Sequence, residues 1–451
     1  MFEPHVYAAR RKRVAALIGN GAVAIIPSGK TKNRNGDVDY LFRPESSFLW
    51  LTGFSEPDAV LVIVGGPRPA ITLFVTPNDS AREIWTGKCE GVEEAKRIYG
   101  LESALPLPML NEWIKAIIRD RKVHYPTKRD PRGEWIGESR HFLCSPYLDR
   151  TIDSEILLAR MRLVKDEHEL ALMRRAAQLT AGAHLDLLWL VHPGMTENEV
   201  AAELAYRFIA GGGHPDNAYP SIVAGGINAC ILHYTKNRGI LRSGNLLLTD
   251  AGMELDGYAS DVTRTIPVDG HFTEAERAVY NLVRRTQSRA IRNVRPGMTQ
   301  NKLQDITARS FASGFFGLGL FKDKMPREIV TEKLYKHYYM HWVSHFLGLD
   351  VHDEGSLTRE EARNIPFEPG MVITVEPALY FRQDDIMVPP WLRNIAVRIE
   401  DDVIVRENGA EVISGACPKD PDVIESLMAH AAEQRANDRF DERALWRRHD
   451  R

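Results

Sequence analysis

The sequence has few cysteines, and none of them lies close to another. Four are present among 451 residues, at Cys89, Cys144, Cys230 and Cys417, and no two form a Cys-x-x-Cys pair. A disulfide framework and a cysteine-rich zinc site both need closely or regularly spaced cysteines, so this spacing argues against both. Scattered single thiols are typical of a reducing compartment, and we therefore expect a cytoplasmic protein.

The sequence also lacks a strong net charge and a long apolar run. The formal net charge is -3, which argues against a dedicated nucleic-acid binder or a protein that attaches to anionic membranes. No stretch approaches the roughly 18 consecutive apolar residues of a membrane span. The hydrophobic content of 44% and charged content of 26% are typical of a soluble globular protein. The length predicts two domains, with three as the alternative.

Short apolar runs alternate with helical patterns over about the first 150 residues. The runs predict strands at 22–26, 59–64, 70–75 and 122–125, and the helical patterns lie near 92–99 and 110–119. This alternation predicts an α/β domain, followed by a charged loop at 128–138. Strong helical periodicity begins near Asp153, so we assign residues 1–155 to a first domain and residues 156–451 to a second.

A short repeat lies within the second domain. Val-His-Pro-Gly-Met-Thr at 191–196 recurs as Val-Arg-Pro-Gly-Met-Thr at 294–299, and each copy introduces a helical pattern. The final threonine of each copy is a residue type suited to capping a helix. The repeat predicts two related half-domains. The glycines at 211–213 follow no strand and open no helix, so they indicate a helix stop and not a phosphate-binding loop.

Three histidines, His341, His345 and His352, fall within twelve residues and are interleaved with apolar residues. Buried imidazoles need hydrogen-bond partners, so this stretch predicts one wall of a polar, catalytic or metal-binding cavity. Trp342, directly after the first histidine, belongs to the same stretch.

Four acids lie on or at the ends of apolar strands, namely Asp250, Asp261, Glu376 and Glu400. Each alone fits an ordinary strand end or a salt bridge. Together, four inward acids would repel one another unless cations neutralised them. With one histidine they make an oxygen-rich set that suits a pair of divalent ions such as Mn²⁺ better than a sulfur-rich zinc site does. A pair of such ions can activate a water molecule and polarise a carbonyl group.

The motifs around these residues resemble the aminopeptidase P and prolidase family of metallopeptidases. The resemblance is carried by Ser-His345-Phe-Leu-Gly-Leu-Asp-Val-His352-Asp, by Thr-Val-Glu376-Pro-x-Leu-Tyr380, and by Arg398-Ile-Glu400-Asp, together with the Asp250-x₁₀-Asp261 segment and Ile231-Leu-His233-Tyr. In the first domain it extends to Leu-Trp-Leu-Thr-Gly-Phe-x-Glu-Pro at 49–57. The histidine motif is closer to aminopeptidase P than to prolidase.

The resemblance implies a fold and a set of ligands. The fold would be an N-terminal α/β domain followed by a pita-bread catalytic domain whose half-domains are related by a pseudo-twofold axis. Asp250 would bind one metal, Asp261 and Glu400 would bridge both, and His345 and Glu376 would complete the second. Glu376 would also act as general base. The ions would be Mn²⁺, with Zn²⁺ or Co²⁺ as alternatives.

The resemblance also implies substrate contacts. His233 and His352 would bind the substrate and stabilise the oxyanion, and His341 would shape the proline pocket. Tyr380 and Trp342 would be further substrate contacts, and Arg398 would either anchor the surroundings of Glu400 or contact the substrate. Trp85 would cross to a neighbouring subunit in a homodimer or homotetramer, because the first domain mediates oligomers in this family.

Three positions depart from the family pattern, and they bear on specificity. Trp342, Asn394 and Ala396 stand where the family usually has glycine, close to the expected substrate pocket. The resemblance implies an Xaa-Pro aminopeptidase that acts on peptides with proline in second position. The alternatives are an Xaa-Pro dipeptidase or a relative with shifted specificity, and a non-catalytic binding protein. Non-catalytic relatives lose ligands, whereas this chain keeps all five.

Overall fold

The computed structural model describes residues 2–127, 151–354 and 357–437. The chain divides into two compact units, and the division falls between Arg162 and Leu163. The predicted boundary at residue 155 and this division both lie within one helix, Ser154–Leu163. Cys144, the loop predicted at 128–138 and the end of the chain after residue 437 lie outside the described residues. Among the described residues, no helix is long and apolar enough to cross a membrane.

The first unit contains a six-stranded mixed sheet in the order β6-β5-β4-β1-β7-β8. Strands β1, β4 and β5 are antiparallel neighbours, while β6 runs parallel to β5, and β7 and β8 run parallel to β1. An exposed two-stranded hairpin, β2-β3, lies apart from this sheet. The strands are β1 Ala22–Pro27, β2 Asn33–Asn35, β3 Val38–Asp39, β4 Val60–Val64, β5 Ala70–Val75, β6 Ser103–Pro106, β7 Lys122–Tyr125 and β8 Thr151–Asp153.

Helices pack against this sheet and bury its apolar side chains, including Val23, Ile25, Val62 and Phe74. The helices are α1 Pro4–Ile18, α2 Ser46–Thr52, α3 Ser80–Thr86, α4 Gly91–Ile98, α5 Leu110–Ile118 and α6 Ser154–Leu163. The α/β character predicted for this part of the chain is confirmed. Local sequence patterns did not predict α2, α3 or β6, because these elements have only four to seven residues each and show too little periodicity.

Among the described residues, the second unit has six α-helices between α6 and residue 372 and one α-helix after residue 412. They are α7 Glu167–Leu190, α8 Glu197–Ala210, α9 Glu274–Ile291, α10 Gln300–Phe315, α11 Pro326–Thr331, α12 Arg359–Asn364 and α13 Pro421–Ala436.

The strands of the second unit form two three-stranded sheets, β13-β10-β9 and β14-β17-β18, and two short pairs, β11-β12 and β15-β16. All of these pairings are antiparallel. The strands are β9 Ile222–Gly225, β10 Leu246–Ala251, β11 Glu254–Leu255, β12 Tyr258–Ala259, β13 Val262–Pro267, β14 Val372–Val375, β15 Ala378–Phe381, β16 Ile395–Arg398, β17 Asp401–Arg406 and β18 Gly409–Val412.

The sequence repeat corresponds to a structural one. In each half, a long helix (α7 or α9) leads through the repeated motif into a second helix (α8 or α10), and an antiparallel three-stranded sheet follows. Thr196 and Thr299 cap the second helices by accepting a backbone hydrogen bond. Gly194 and Gly297 occupy matching turn positions with φ of 98° and 81°. The predicted half-domains are therefore present as two copies of one arrangement.

A buried histidine connects α7 to the strand that carries Asp250. His184 Nε2 donates to the carbonyl oxygen of Ala251 at 3.0 Å, and its Nδ1 lies 3.3 Å from the Thr249 hydroxyl. Burial lowers the pKa of His184 to about 4, because a charged imidazole loses its hydration there. The ring is therefore neutral at neutral pH and links helix to sheet by two hydrogen bonds.

We expect this histidine to make the protein sensitive to acid. Because the folded-state pKa lies below the ordinary value of about 6.5, the unfolded chain takes up a proton first as the pH falls. The free energy of unfolding should decrease between about pH 6.5 and pH 4, by about 3 kcal/mol from this group alone. In His184→Gln the acid-induced decrease should be smaller by that amount, measured by urea unfolding at several pH values. Identical pH profiles for the two proteins would contradict the prediction.

Candidate active site

The four acids predicted from the sequence lie at the ends or breaks of strands. Asp250 is near the end of β10, Asp261 lies between β12 and β13, Glu376 between β14 and β15, and Glu400 between β16 and β17. At a break the chain leaves the sheet ladder, so an acidic side chain can turn inward without disrupting the pairing. Asp250, Asp261 and Glu400 are at most 9% exposed, and Glu376 is nearly as buried.

Strand register brings these acids together. Asp250 pairs with Thr263 across the β10–β13 ladder. The Thr263 hydroxyl donates to Glu400 Oε2 at 2.6 Å, and the backbone N–H of Glu400 donates to the Thr263 carbonyl at 3.1 Å. Residues about 140 positions apart in the sequence thus meet at one threonine, which joins the two half-domains at the acid cluster.

His345 supplies a nitrogen to this cluster. Asp261, His345 and Glu400 offer ligand atoms that all lie within 4.8 Å of one another. His345 Nε2 is 3.4 Å from Asp261 Oδ2 and 3.6 Å from Glu376 Oε1. Asp250 and Glu376 are adjacent to this set but outside its tightest group. The backbone on either side of His345 is held by Thr374, whose hydroxyl accepts from the His345 N–H at 3.2 Å.

The electrostatics of the cluster indicate a shortage of positive charge. Burial, together with the neighbouring carboxylates, raises the pKa of Asp261, that of Glu376 to about 7, and that of Glu400 well above its ordinary value. Burial alone would lower the pKa of His345, but Asp261 and Glu376 outweigh it and raise that pKa to about 9. Carboxylates that resist ionisation are typical of a site built for cations. The oxygen-rich donor set with one imidazole fits divalent ions such as Mn²⁺.

An arginine, a tyrosine and a histidine form a hydrogen-bonded chain that leads away from the acids. Arg398 donates to Asp250 Oδ2 at 2.5 Å and to the Tyr380 hydroxyl at 2.7 Å, and that hydroxyl donates to His341 Nε2 at 3.0 Å. Burial, and then the charge of Arg398, lower the pKa of His341 to about 3, so this imidazole is neutral. Its Nδ1 donates to the carbonyl oxygen of Trp342 at 2.8 Å.

His233 and His352 lie at the accessible edge of the site, and both are exposed. The rings of His345 and His352 are perpendicular, with centroids 4.3 Å apart. The positive charge of His345, followed by burial and by the charge of His233, lowers the pKa of His352 to about 3. His233 lowers the pKa of His341 in the same way, so it belongs to the same group of imidazoles.

The three departures from the family pattern have distinct environments. The Trp342 ring is half-buried, and the guanidinium carbon of Arg363 on α12 lies 3.7 Å from its centroid, which is a cation–π contact. Asn394 has φ of 67°, a conformation that asparagine tolerates better than most residues. Ala396 is fully buried and pairs with Tyr380 across β15 and β16.

Two residues at the cluster carry no signal in the sequence. The Tyr219 hydroxyl lies 2.7 Å from Asp250 Oδ1 and 2.6 Å from Asp261 Oδ1. Burial and these two charges raise its pKa well above its ordinary value, so it remains a donor. Asp402 accepts from the Asp261 N–H at 3.2 Å and thereby fixes the backbone of that acid. A lone tyrosine in a loop and an aspartate in a strand show no pattern, and only the folded chain places them here.

Comparison with known proteins identifies the class to which this site belongs. The family model described as metallopeptidase family M24 matches residues 171–407, and that described as the aminopeptidase P N-terminal domain matches residues 7–125. The chain is therefore a member of the M24 metallopeptidases, with the pita-bread fold in its C-terminal part.

Individual relatives define the family more closely. An Xaa-Pro aminopeptidase of Escherichia coli is 35% identical over 441 residues, which cover 94% of this chain and 98% of the relative. That of Haemophilus influenzae is 36% identical over 422 residues, covering 93% and 96%. The solved structure of proline aminopeptidase P II from Yersinia pestis is 34% identical, has a TM-score of 0.87, and covers 95% of this chain and all of its own. The chain belongs to the Xaa-Pro aminopeptidase (aminopeptidase P) family.

Proposed function

We propose that this protein is an Xaa-Pro aminopeptidase, which hydrolyses the bond between an N-terminal residue and a following proline. The observation that carries the proposal is the retention of the complete set Asp250, Asp261, His345, Glu376 and Glu400, gathered around one buried position in a member of this family. A binding protein without catalytic function would have no need for so many buried acids at one position, since Arg398 and His345 offset only part of their mutual repulsion.

We propose that these five side chains hold two divalent ions, with Mn²⁺ as the first candidate and Zn²⁺ or Co²⁺ as alternatives. Asp261 Oδ1 is linked to Asp250 through the Tyr219 hydroxyl, and Asp261 Oδ2 lies 3.4 Å from His345 Nε2. When bound, such ions supply Lewis acidity towards the scissile carbonyl and lower the pKa of water.

Glu376 is the proposed general base. Without metal its pKa is raised to about 7, mainly by burial, and bound cations would lower that pKa and keep the carboxylate ionised, so that it can accept a proton. It would take a proton from the attacking water and deliver it to the proline nitrogen as the bond breaks. That nitrogen is a tertiary amide with no N–H of its own, so this proton is needed for departure.

The proposed substrate contacts surround this acid. His233 and His352 are exposed and close to the cluster, so they can donate to the carbonyl oxygen as it gains charge. His341 Nδ1 lies 3.5 Å from Glu376 Oε2, and the neutral ring with Tyr380 offers a polar but uncharged wall for the proline ring. Arg398 holds the Tyr380 hydroxyl by a hydrogen bond. Trp342, whose ring contacts Arg363, directly follows His341 in the chain.

The remaining proposals concern assembly and location. Residues 1–155 are proposed to mediate a homodimer or homotetramer and to border the substrate cleft, and residues 156–451 to form the catalytic domain. Ile84 and Trp85 on α3 are 84% and 87% exposed, as is expected of side chains that pack against another subunit. The cytoplasm is the proposed compartment, on the ground of the scattered cysteines.

The length preference can be tested by assaying an Xaa-Pro dipeptide and a longer Xaa-Pro-peptide in parallel with added Mn²⁺. We expect release of the N-terminal residue from the longer peptide, with kcat/KM at least about tenfold above that for the dipeptide. A matched peptide with alanine in place of proline should be cleaved far more slowly, because it lacks the ring. Cleavage confined to the dipeptide would instead support a dipeptidase. In that case the guanidinium of Arg363, beside Trp342, would be the candidate group to bind the free carboxylate after proline.

A further inference from the structure

Glu197 is a buried carboxylate in the second unit that has no role in the proposed chemistry. It is the first residue of α8 and its side chain is fully buried. Among the described residues, no lysine or arginine forms an ion pair with it. Its charge must therefore be stabilised by the helix N-terminus and by hydrogen bonds.

The carboxylate of Glu197 accepts four hydrogen bonds. Oε1 accepts from the backbone N–H of Gly225 and from Asn228 Nδ2, both at 2.8 Å. Oε2 accepts from the Tyr234 hydroxyl at 2.9 Å and from the backbone N–H of Gly239 at 2.6 Å. Both oxygens are thus saturated with donors, which allows an ionised group to remain in a buried position.

These donors stand on both sides of His233. Asn228 precedes this histidine and Tyr234 and Gly239 follow it. The two sides are also joined directly, because Asn228 Nδ2 donates to the Tyr234 hydroxyl at 3.1 Å. A Cβ atom at residue 239 would lie 2.7 Å from Glu197 Oε1, so glycine is required there for the backbone to reach the carboxylate. We refer to residues 225–239 as the His233 loop.

The opposite side of the His233 loop packs against the strands of the site. Cys230 Sγ lies 3.6 Å from the carbonyl oxygen of Phe381 at the end of β15. Ala229 and Tyr234 belong to a buried cluster that includes Tyr380. The loop is therefore fixed between α8 and the strand that carries Tyr380, and His233 is one of its exposed residues.

We propose that Glu197 is the positioning residue for His233: its carboxylate ties together both sides of the loop and so fixes the imidazole at the active site. Glu197 touches no substrate and acts only through this loop. The inference rests on the proposed function, in which His233 contacts the substrate.

A double-mutant cycle tests the inference. Glu197→Gln places an NH₂ group where donors now point, so two of the four hydrogen bonds lose their acceptor. We expect Glu197→Gln to lower kcat/KM for an Xaa-Pro-peptide about tenfold or more when His233 is present. In a protein that already carries His233→Ala, the same substitution should cause no further loss. Two losses that multiply in the double variant would show that Glu197 does not act through His233 and would overturn the inference.

A milder variant and a direct structural readout cover the case in which Glu197→Gln does not fold. Tyr234→Phe removes one donor only, and its loss of about threefold should likewise vanish with His233→Ala. In the metal-free protein, amide hydrogen exchange in the His233 loop should be faster in either variant than in the wild type, relative to the rest of the second unit. Unchanged exchange in the loop would refute the positioning role.

Glu199→Gln is the matched control, because it removes a charge from the same helix. Glu199 is bonded to Thr196 in a capping box that glutamine can replace, and it has no hydrogen bond to the loop. Its activity and exchange should match the wild type. Because amide hydrogen exchange is measured without substrate, it tests the role of Glu197 independently of catalysis. If His233→Ala instead turns over as fast as the wild type, it is the role of His233 in the proposed function that fails.

Discussion

Glu376→Gln is expected to lower kcat for an Xaa-Pro-peptide about a thousandfold at saturating Mn²⁺. The amide is close in size to the carboxylate but cannot accept a proton from the attacking water or return it to the proline nitrogen. The position is suited to that task, since Glu376 Oε1 lies 3.6 Å from His345 Nε2 and Glu376 Oε2 lies 3.5 Å from His341 Nδ1.

The measurement needs a control for metal binding, because Glu376 is also a proposed ligand. Stoichiometry and affinity for Mn²⁺ should be determined by calorimetry on the same preparation, and kcat compared only when the sites are filled. Glu368→Gln, an exposed glutamate in the same unit, should leave kcat unchanged. A Glu376→Gln enzyme that binds metal and retains kcat within about tenfold of the wild type would remove Glu376 as the base.

Glu400→Gln is expected to have opposite effects on stability with and without metal. In the wild type, Mn²⁺ at about a hundred times its Kd should stabilise the fold by about 2.7 kcal/mol for each of the two proposed sites, which raises Tm by roughly 5–10 °C per site. The variant loses a proposed bridging ligand, so most of this increase should disappear. Differential scanning calorimetry with and without Mn²⁺ measures both proteins.

Without metal, the same variant should melt at a higher temperature than the wild type at pH 8. Burial, and then the charges of Asp261, Glu376 and Asp250, raise the pKa of Glu400 well above its ordinary value. The unfolded chain therefore releases this proton at lower pH than the folded protein does, so rising pH destabilises the metal-free fold. Glutamine removes that penalty. A metal-free variant that is less stable than the wild type at pH 8, or one that keeps the full Mn²⁺ shift, would contradict the role proposed for Glu400. Glu368→Gln should leave both values unchanged.

Much of the local structure followed from local patterns. The strand predicted at 122–125 has those ends in the structure, and the threonine at the end of the first repeated motif, Thr196, caps the helix that the motif introduces. A run of alternating or helically spaced apolar residues is sufficient for such predictions. The seven-residue helix α2 was not predicted because it is short and its N-cap residue, Glu45, makes no side-chain capping hydrogen bond. The helix forms where Phe48 and Leu51 become fully buried. Such a helix depends on the core that surrounds it more than on its own residues.

By itself, the sequence determined the family, the helical repeat of the second unit and the order of five potential ligands, because each of these is written in short, contiguous motifs. Only the tertiary structure decided which groups surround those ligands. Arg398 meets Asp250 across 148 positions, and Tyr219 and Glu197 contact groups that no nearby sequence pattern indicates. The reason is physical: a hydrogen bond depends on distance and direction in space, and strand register and helix packing set these between segments that are remote in the chain.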